Sequence, residues 1–284
     1  MRLTIRHDTV YRYTRPVMFQ EHRLLLFPRG NHDVRMRSSR LTITPEADLS
    51  WSEDASGNTV ATAVFVEPAS TLSIRVEHEL DHGGEPWPIF RIAPEAHAHP
   101  FSYAPDLRAE LQPTLLGPDE ASDDDARRWA NDLVTSRPMD TMTLLTRMNS
   151  AIGENGRYVS RGEEGTQTPG QTLALGSGSC RDYAALLIAG ARHLGFAARA
   201  ASGYAFDPHL PAEATGATHA WAEVYLPGAG WIAFDPTSGR TGSAGLVTAA
   251  TGRSSERILP VIGGYAGEAA DFLSMDVSVS VTER

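Results

Sequence analysis

The stretch "GSGSCRDYAALLIAG", residues 176–190, decides how this chain is read. It holds the only cysteine of the 284 residues, placed between a Gly/Ser run and an apolar helical pattern. From Ser179 onward, Tyr183, Ala184, Leu187, Ile188, Ala191 and Leu194 fall on one helical stripe, and Gly195 follows where a helix commonly stops. Ser179 or Gly178 is expected to cap the helix, which sets Cys180 in its first turn. Unpaired N–H groups and the positive end of the helix dipole favour a negative charge there. A thiol in that place has a depressed pKa, and its thiolate is a nucleophile. The small residues before it let a substrate backbone come close. A structural cysteine can occupy the same place, and position alone leaves both readings open.

The strands downstream separate the two. "AARAASGYAF" (197–206), "HAWAEVYL" (219–226) and "WIAFDP" (231–236) read as strands, with "PGAG" (227–230) between the last two. Alternation puts His219, Trp221, Glu223 and Tyr225 on one face, and Trp231, Ala233 and Asp235 on one face. With a turn of three or five residues, Asp235 lies opposite Trp221 and diagonal to His219, within side-chain reach. A turn of even length puts His219 and Asp235 on opposite faces. On the shared face the chemistry is complete. His219 takes the thiol proton, Asp235 holds the imidazole in one tautomer and orientation, and His219 later returns a proton to a leaving amine. A lone His is usually structural and an Asp before Pro usually caps a turn. Together with Cys180 they describe acyl transfer through a thioester.

The blocks that carry these residues, "GSGSCRDYAALLIAGARHLGFAARAASGY" and "THAWAEVYLPGAGWIAFDPTSG", resemble the bacterial transglutaminase-like family, proteins described as cysteine proteases. "TGRSSERILPVIGGYAG" resembles it more loosely. "YRYTRPV", "HRLLLFPR" and "DASGN" resemble the β domain that precedes the core in that family. The resemblance implies a papain-like core, a cysteine on a central helix packed on an antiparallel sheet that bears His and Asp. It implies Cys180 as nucleophile, His219 as base and Asp235 as orienting carboxylate. Asp182 is then expected to support the helix start, and Trp221 and Trp231 to wall the site and pack the sheet. Arg181 stands where many relatives carry Gln. Animal transglutaminases steady the oxyanion with an upstream Trp, and this chain has none between Trp129 and Trp221. The Cys180 N–H supplies one oxyanion donor. Tyr158 and Gln171 are candidates for the second, and with Trp221 they form the expected substrate contacts.

The rest of the chain places this site in an α+β protein. Residues 1–82 alternate like an antiparallel β domain, sandwich-like; 83–118 form a Pro-rich linker that wraps; 119–284 form the core, with the alternating "FLSMDVSVSVTE" as a C-terminal strand. "DEASDDDARRWANDLV" and "DTMTLLTRMNSAIGENG" read as helices, the second ended by Gly153 and Gly156. The loop between Asp207 and Thr218 is a candidate lid. His97 and His99 face the same way on an extended chain, but no third ligand of a clear kind accompanies them, so no metal is expected. There is no calcium loop and no cofactor fingerprint, and no cofactor is expected.

Composition narrows the partners. At 41% hydrophobic and 21% charged residues the chain has the balance of an ordinary globular protein, and no run of consecutive apolar residues approaches the length of a membrane helix. One cysteine excludes an intrachain disulfide, and the N-terminus has no apolar secretory segment, so a cytoplasmic location is expected. The net charge is −10, yet residues 1–41 hold nine Arg against Asp8, Glu21 and Asp33. These Arg alternate as the solvent side of strands does, and an acidic chain is repelled by phosphate, so neither nucleic acid nor membrane is expected as a partner. Every basic residue is Arg; there is no Lys. The expected partner is a protein or peptide substrate. Three functions stay open: a cysteine hydrolase with water as acceptor, a transglutaminase with an amine as acceptor, and a non-catalytic binding module. The intact set Cys180, His219 and Asp235 argues against the last.

Overall fold

The computed structural model describes residues 1–85, 89–115, 124–160, 165–207 and 217–283. The N-terminal part is built from six strands: β1 (Arg2–Phe19), β2 (His22–Leu24), β3 (Val34–Thr44), β4 (Ala47–Glu53), β5 (Thr59–Phe65) and β6 (Ala69–His82). In β1 the period of two buries Leu3, Ile5, Tyr13 and Val17 and turns Arg2, Arg6 and Arg12 outward. One antiparallel sheet runs β3–β6–β1 and a second runs β4–β5–β2. Tyr13, Phe19, Leu24, Phe65, Leu72 and Ile74 meet between them as the core of a sandwich.

The Pro-rich segment follows and clamps onto the core. In it, β7 (Ala98–His99) pairs with β8 (Met139–Asp140). The Tyr103 hydroxyl donates to the Tyr225 carbonyl at 2.8 Å and accepts from the Ala197 N–H at 2.9 Å. The segment also forms the short helix α1 (Pro105–Leu111), whose start at a proline the prolines of the segment had concealed. His97 and His99 bond to two different carbonyls, Ile92 and Leu194, each at 2.9 Å, and His99 stacks on Phe196. They do not converge on a common point.

The core contains α2 (Asp124–Asp132), α3 (Thr141–Asn155), β9 (Arg157–Tyr158), α4 (Pro169–Leu175), β10 (Ser177–Gly178) and α5 (Cys180–His193). Then come β11 (Ala198–Ala205), β12 (Ala217–Leu226), β13 (Gly230–Asp235), β14 (Arg240–Thr241) and β15 (Leu246–Gly252), in an antiparallel sheet ordered β14–β13–β12–β11–β15. Asp140 caps α3 by accepting from the Thr143 N–H at 2.7 Å. α3 runs through Gly153 and stops at Asn155 with Gly156 at its C-cap, so of the two glycines expected to end it only Gly156 does. A Cβ at position 153 would come within 2.9 Å of the Pro236 carbonyl, so this glycine serves close packing beside the end of β13. α5 lays Leu186, Leu187, Ile188 and Ala191 on Ala198, Ala200, Ala222 and Val224 of the sheet. The small side chains on β11 and β12 let the helix sit close, and burying each Leu or Ile is worth about 2 kcal/mol.

The tail returns to the first domain. β16 (Val261–Ile262) joins the second sheet beside β2, while β17 (Tyr265–Ala266) and β18 (Phe272–Glu283) both pair with β1. The alternating C-terminal strand therefore belongs to the N-terminal sheet and not to the core, where the sequence reading had put it. Alternation shows that a strand has a buried face; it carries no record of which sheet edge is open to it. Further contacts fasten the sandwich to the core. The Leu26 carbonyl accepts from Tyr204 on β11 at 2.8 Å and from His78 on β6 at 3.1 Å. Leu3, Ile5 and Leu80 pack with Tyr204, Phe206 and Val247. Among the described residues no helix is long and apolar enough to cross a membrane.

Two histidines at this junction resist protonation. Burial pushes His7 down to about 4, against a smaller upward pull from Asp8, and pushes His78 down to about 4, against its bond to Leu26. The unfolded chain takes up these protons near pH 6.5 and the folded one does not until about pH 4, so stability is complete above the upper value and falls as pH drops between the two. Each histidine can contribute up to roughly 3 kcal/mol to that loss. The melting temperature followed by circular dichroism is expected to fall between about pH 7 and pH 4.5. His78→Gln, which keeps a donor for Leu26 and takes no proton, is expected to flatten that slope.

Candidate active site

Cys180 is the first residue of α5, and the start of that helix is held by one carboxylate. Asp182, fully buried, accepts from the Ser179 N–H and hydroxyl, both at 2.8 Å, and from the Gln167 N–H at 2.7 Å. The approach to the cysteine is thereby tied to the segment before α4. β10 runs parallel to β9, pairing Gly178 with Tyr158. A Cβ at Gly178 would lie 2.9 Å from the Asp182 Cβ and 3.2 Å from the Tyr183 ring, so a larger residue there would push the turn off the helix. Cys180 keeps part of its surface exposed.

The register of the β12–β13 hairpin meets the condition that the sequence set. Leu226 pairs with Gly230 and Tyr225 with Trp231, which leaves a turn of residues 227–229 and puts His219 and Asp235 on one face. His219 Nε2 lies 3.0 Å from Asp235 Oδ1. Because Nε2 is taken by the carboxylate, Nδ1 is the nitrogen left for the hydrogen bond that His219 makes with the Cys180 thiol. The Ala220 N–H also bonds to the sulfur. Asp235 further accepts from the Thr237 N–H at 3.0 Å and the Ser238 hydroxyl at 2.6 Å. These two partners belong to the "DPTS" run, so Asp235 caps the turn as an Asp before Pro does and also holds the histidine.

Electrostatics in this enclosure favour an ion pair. For Cys180 burial raises the thiol pKa, but the hydrogen bond and charge of His219, the Ala220 N–H and Arg181 outweigh it, and the net direction is down. For His219 burial lowers the imidazole pKa, but its bonds to Asp235 and Cys180 outweigh that and raise it to about 10. Burial would likewise raise Asp235, yet the bond and charge of His219, with the Ser238 hydroxyl and Thr237 N–H, hold it below the usual carboxylate value. The arrangement can hold a thiolate beside an imidazolium at neutral pH.

The other expected site residues separate. Trp221 is 0% exposed and stacks against His219 with ring centres 6.1 Å apart, so it sets the plane of the imidazole and cannot touch a substrate. Trp231 lies four residues from Asp235, toward the other end of β13, where Arg199 sits 4.0 Å over its ring and Tyr225 meets it edge-on. It packs the sheet, as expected, but does not wall the site. Gln171 directs its amide oxygen to the Thr168 N–H at 2.9 Å and caps α4, so it offers no sign of an oxyanion role. Tyr158 is 50% exposed. Its hydroxyl pKa is raised by burial first, then by the charges of Cys180 and Asp235, so it feels both groups. Residues 208–216 of the candidate lid lie outside the described residues; Asp207, at its edge, pairs with Arg240 at 3.0 Å.

A cysteine at the start of a helix that packs on an antiparallel sheet bearing His and Asp, preceded by a β domain, is the architecture of a transglutaminase-like cysteine protease fold. Residues 3–81 match the bacterial transglutaminase-like N-terminal region, and residues 127–236 match the transglutaminase-like superfamily. An uncharacterized protein of Mycobacterium tuberculosis is 30% identical over 294 aligned positions, covering 99% of this chain and 92% of its own. An uncharacterized protein of Mycobacterium bovis matches to the same extent. The crystal structure of a candidate cysteine protease from Cytophaga hutchinsonii superposes with a TM-score of 0.76 at 22% identity, covering 100% of this chain and 91% of the other. This chain belongs to the bacterial transglutaminase-like family.

The thiolate follows from the partner histidine, which gives a direct check. Iodoacetamide is expected to alkylate Cys180 at about pH 6.5, where an ordinary thiol is only about 1% ionised. His219→Ala removes the hydrogen bond and positive charge that act most strongly on the thiol against its burial, so the labelling rate at that pH is expected to fall on the order of 100-fold. Equal rates in the two proteins, read by mass spectrometry, would contradict the ion pair.

Proposed function

We propose that the protein is a cysteine hydrolase that cleaves amide bonds through a thioester on Cys180. The observation that carries this reading is the continuous hydrogen-bonded series from the thiol through His219 to Asp235, at the N-terminus of α5. The Cys180 thiolate attacks the carbonyl carbon, a C–S bond forms, and the carbonyl electron pair moves to oxygen. The Cys180 N–H and the Tyr158 hydroxyl donate to that oxygen. Tyr158 is assigned this role because its β9 position pairs with Gly178, two residues before the nucleophile, and because its hydroxyl feels the charge of Cys180. The intermediate collapses with loss of the C–N bond, and His219 gives its proton to the departing amine. Water then enters, His219 takes a proton from it, and the oxygen attacks the thioester. Release of the acid restores the thiolate and the protonated His219.

The partly exposed sulfur favours water as acceptor, since water reaches the thioester without a dedicated amine site. Transfer to an amine would use the same three residues. The absence of Lys, which spares a cross-linking enzyme from joining copies of itself, is the feature that favours that second reading.

Mass spectrometry of a peptide substrate, with and without a primary amine, separates the two. Hydrolysed product is expected to dominate in both, and amine incorporation in excess of hydrolysis would overturn the hydrolase reading. Tyr158→Phe is expected to lower kcat on the order of 100-fold while leaving iodoacetamide labelling intact, because it removes an oxyanion donor and not the ion pair. The profile of kcat/KM against pH is expected to rise below the ordinary thiol range as the thiolate forms. It is expected to fall only as His219 loses its proton, toward about 10 rather than 6.5. An alkaline limb near pH 6.5 would show that Asp235 does not hold the imidazolium.

A further inference from the structure

α3 carries an amide inside its apolar stripe. Leu144, Leu145, Met148 and Ile152 face the core, and Asn149 lies among them, fully buried. Its Nδ2 donates to the Arg240 carbonyl at 3.0 Å. A carbonyl only accepts, so the nitrogen end must face it, and the Asn149 oxygen is left buried with no hydrogen-bond partner among the described residues. An unpaired buried acceptor costs stability, and a leucine of similar volume would fill the same space without that cost. Packing alone therefore does not account for an amide at this position.

What Asn149 holds is the strand across from Asp235. Arg240 pairs with Asp235 between β14 and β13, and the turn between them closes with the Gly239 N–H on the Asp235 carbonyl at 2.8 Å. The Arg240 N–H donates to the Ser238 hydroxyl at 3.3 Å, and that hydroxyl donates to Asp235 Oδ2 at 2.6 Å. The side chain of Arg240 is fixed separately, by Asp207 at 3.0 Å. Gly153 lies one helical turn after Asn149 on the same face of α3, where the Pro236 carbonyl leaves no room for a Cβ. α3 thus bears on the 235–240 turn at two points, one by close contact and one by a directed bond. From Asn149 a series of hydrogen bonds runs through Arg240 and Ser238 to Asp235, and on to His219 and Cys180.

We propose that Asn149 is a positioning residue: by fixing Arg240 it orients Ser238, and through Ser238 it holds Asp235 Oδ2 so that Oδ1 meets His219. This role rests on the reading of Cys180, His219 and Asp235 as the reacting groups. Asn149 acts on them only through its neighbours.

The test is Asn149→Leu in the full chain, which keeps the volume and removes the donor. Iodoacetamide labelling of Cys180 at about pH 6.5 is expected to slow about tenfold, and the His219 ring, followed by NMR, to lose its proton about one pH unit lower than in the wild type. In an Asp235→Ala background the same substitution is expected to change labelling by less than about twofold, since no carboxylate remains to be oriented. A loss of core packing would instead slow labelling in both backgrounds, and that result would overturn the proposal. So would an unchanged rate in an Asn149→Leu protein that circular dichroism shows to be folded. If Asn149→Leu does not fold, Ser238→Ala breaks the series at its next link from an exposed position. It is expected to slow labelling about threefold, again only while Asp235 is present. An equal rate in the Ser238→Ala protein would overturn the proposal as well. Alkylation and titration need no turnover, so hydrolysis of a short amide is read separately. No hydrolysis by a wild-type protein whose labelling depends on Asn149 would sink the hydrolase reading and support the positioning role.

Discussion

The 3.0 Å contact between His219 and Asp235 depends on a turn of three residues, and most of what distinguishes this molecule depends on that contact. One residue more or fewer between Leu226 and Gly230 would send the two side chains to opposite faces of the sheet. With Nε2 occupied by Asp235, the imidazole has one nitrogen free, and it meets the thiol that α5 delivers from a different part of the chain. The carboxylate is held in turn by Thr237 and Ser238, so its orientation does not rest on the histidine alone.

Burial works against every charge in this group and is outweighed at each. It raises the thiol and the carboxylate and lowers the imidazole, yet all three shift the other way because each is bonded to the next. The charges therefore support one another as a set, and removing one member leaves the others in an enclosure that opposes ionisation. Trp221 contributes by stacking on His219 from a wholly buried position, which restricts the ring without entering the site.

The two domains are joined more closely than two segments in sequence order would imply. β18 completes the N-terminal sheet on the outer edge of β1, with eleven paired positions between Leu3↔Glu283 and Tyr13↔Phe272. The Leu26 carbonyl ties the sandwich to β11, a strand of the sheet that carries the site. Arg29 adds bonds to Asn58 at 2.6 Å within the sandwich and to Thr251 at 3.0 Å on β15. Unfolding of the β domain would disturb the strand next to the one that bears His219.

Local chemistry was legible in the residues themselves. The stripe from Tyr183 to Leu194 and the small residues before Cys180 place the cysteine at a helix start, and alternation in 219–226 and 231–236 puts His219 and Asp235 on definable faces. These features are short-range, because periodicity and capping act over a few residues. Which elements meet is decided by long-range packing. The choice of the N-terminal sheet for β18, the passage of α3 through Gly153 and the burial of Trp221 all depend on neighbours far away in sequence. Local pattern is enough for the helix start, the strand faces and the three polar groups; their meeting in one enclosure is a matter of long-range packing, because bringing Cys180 to His219 requires α5 to bury its apolar stripe on β11 and β12.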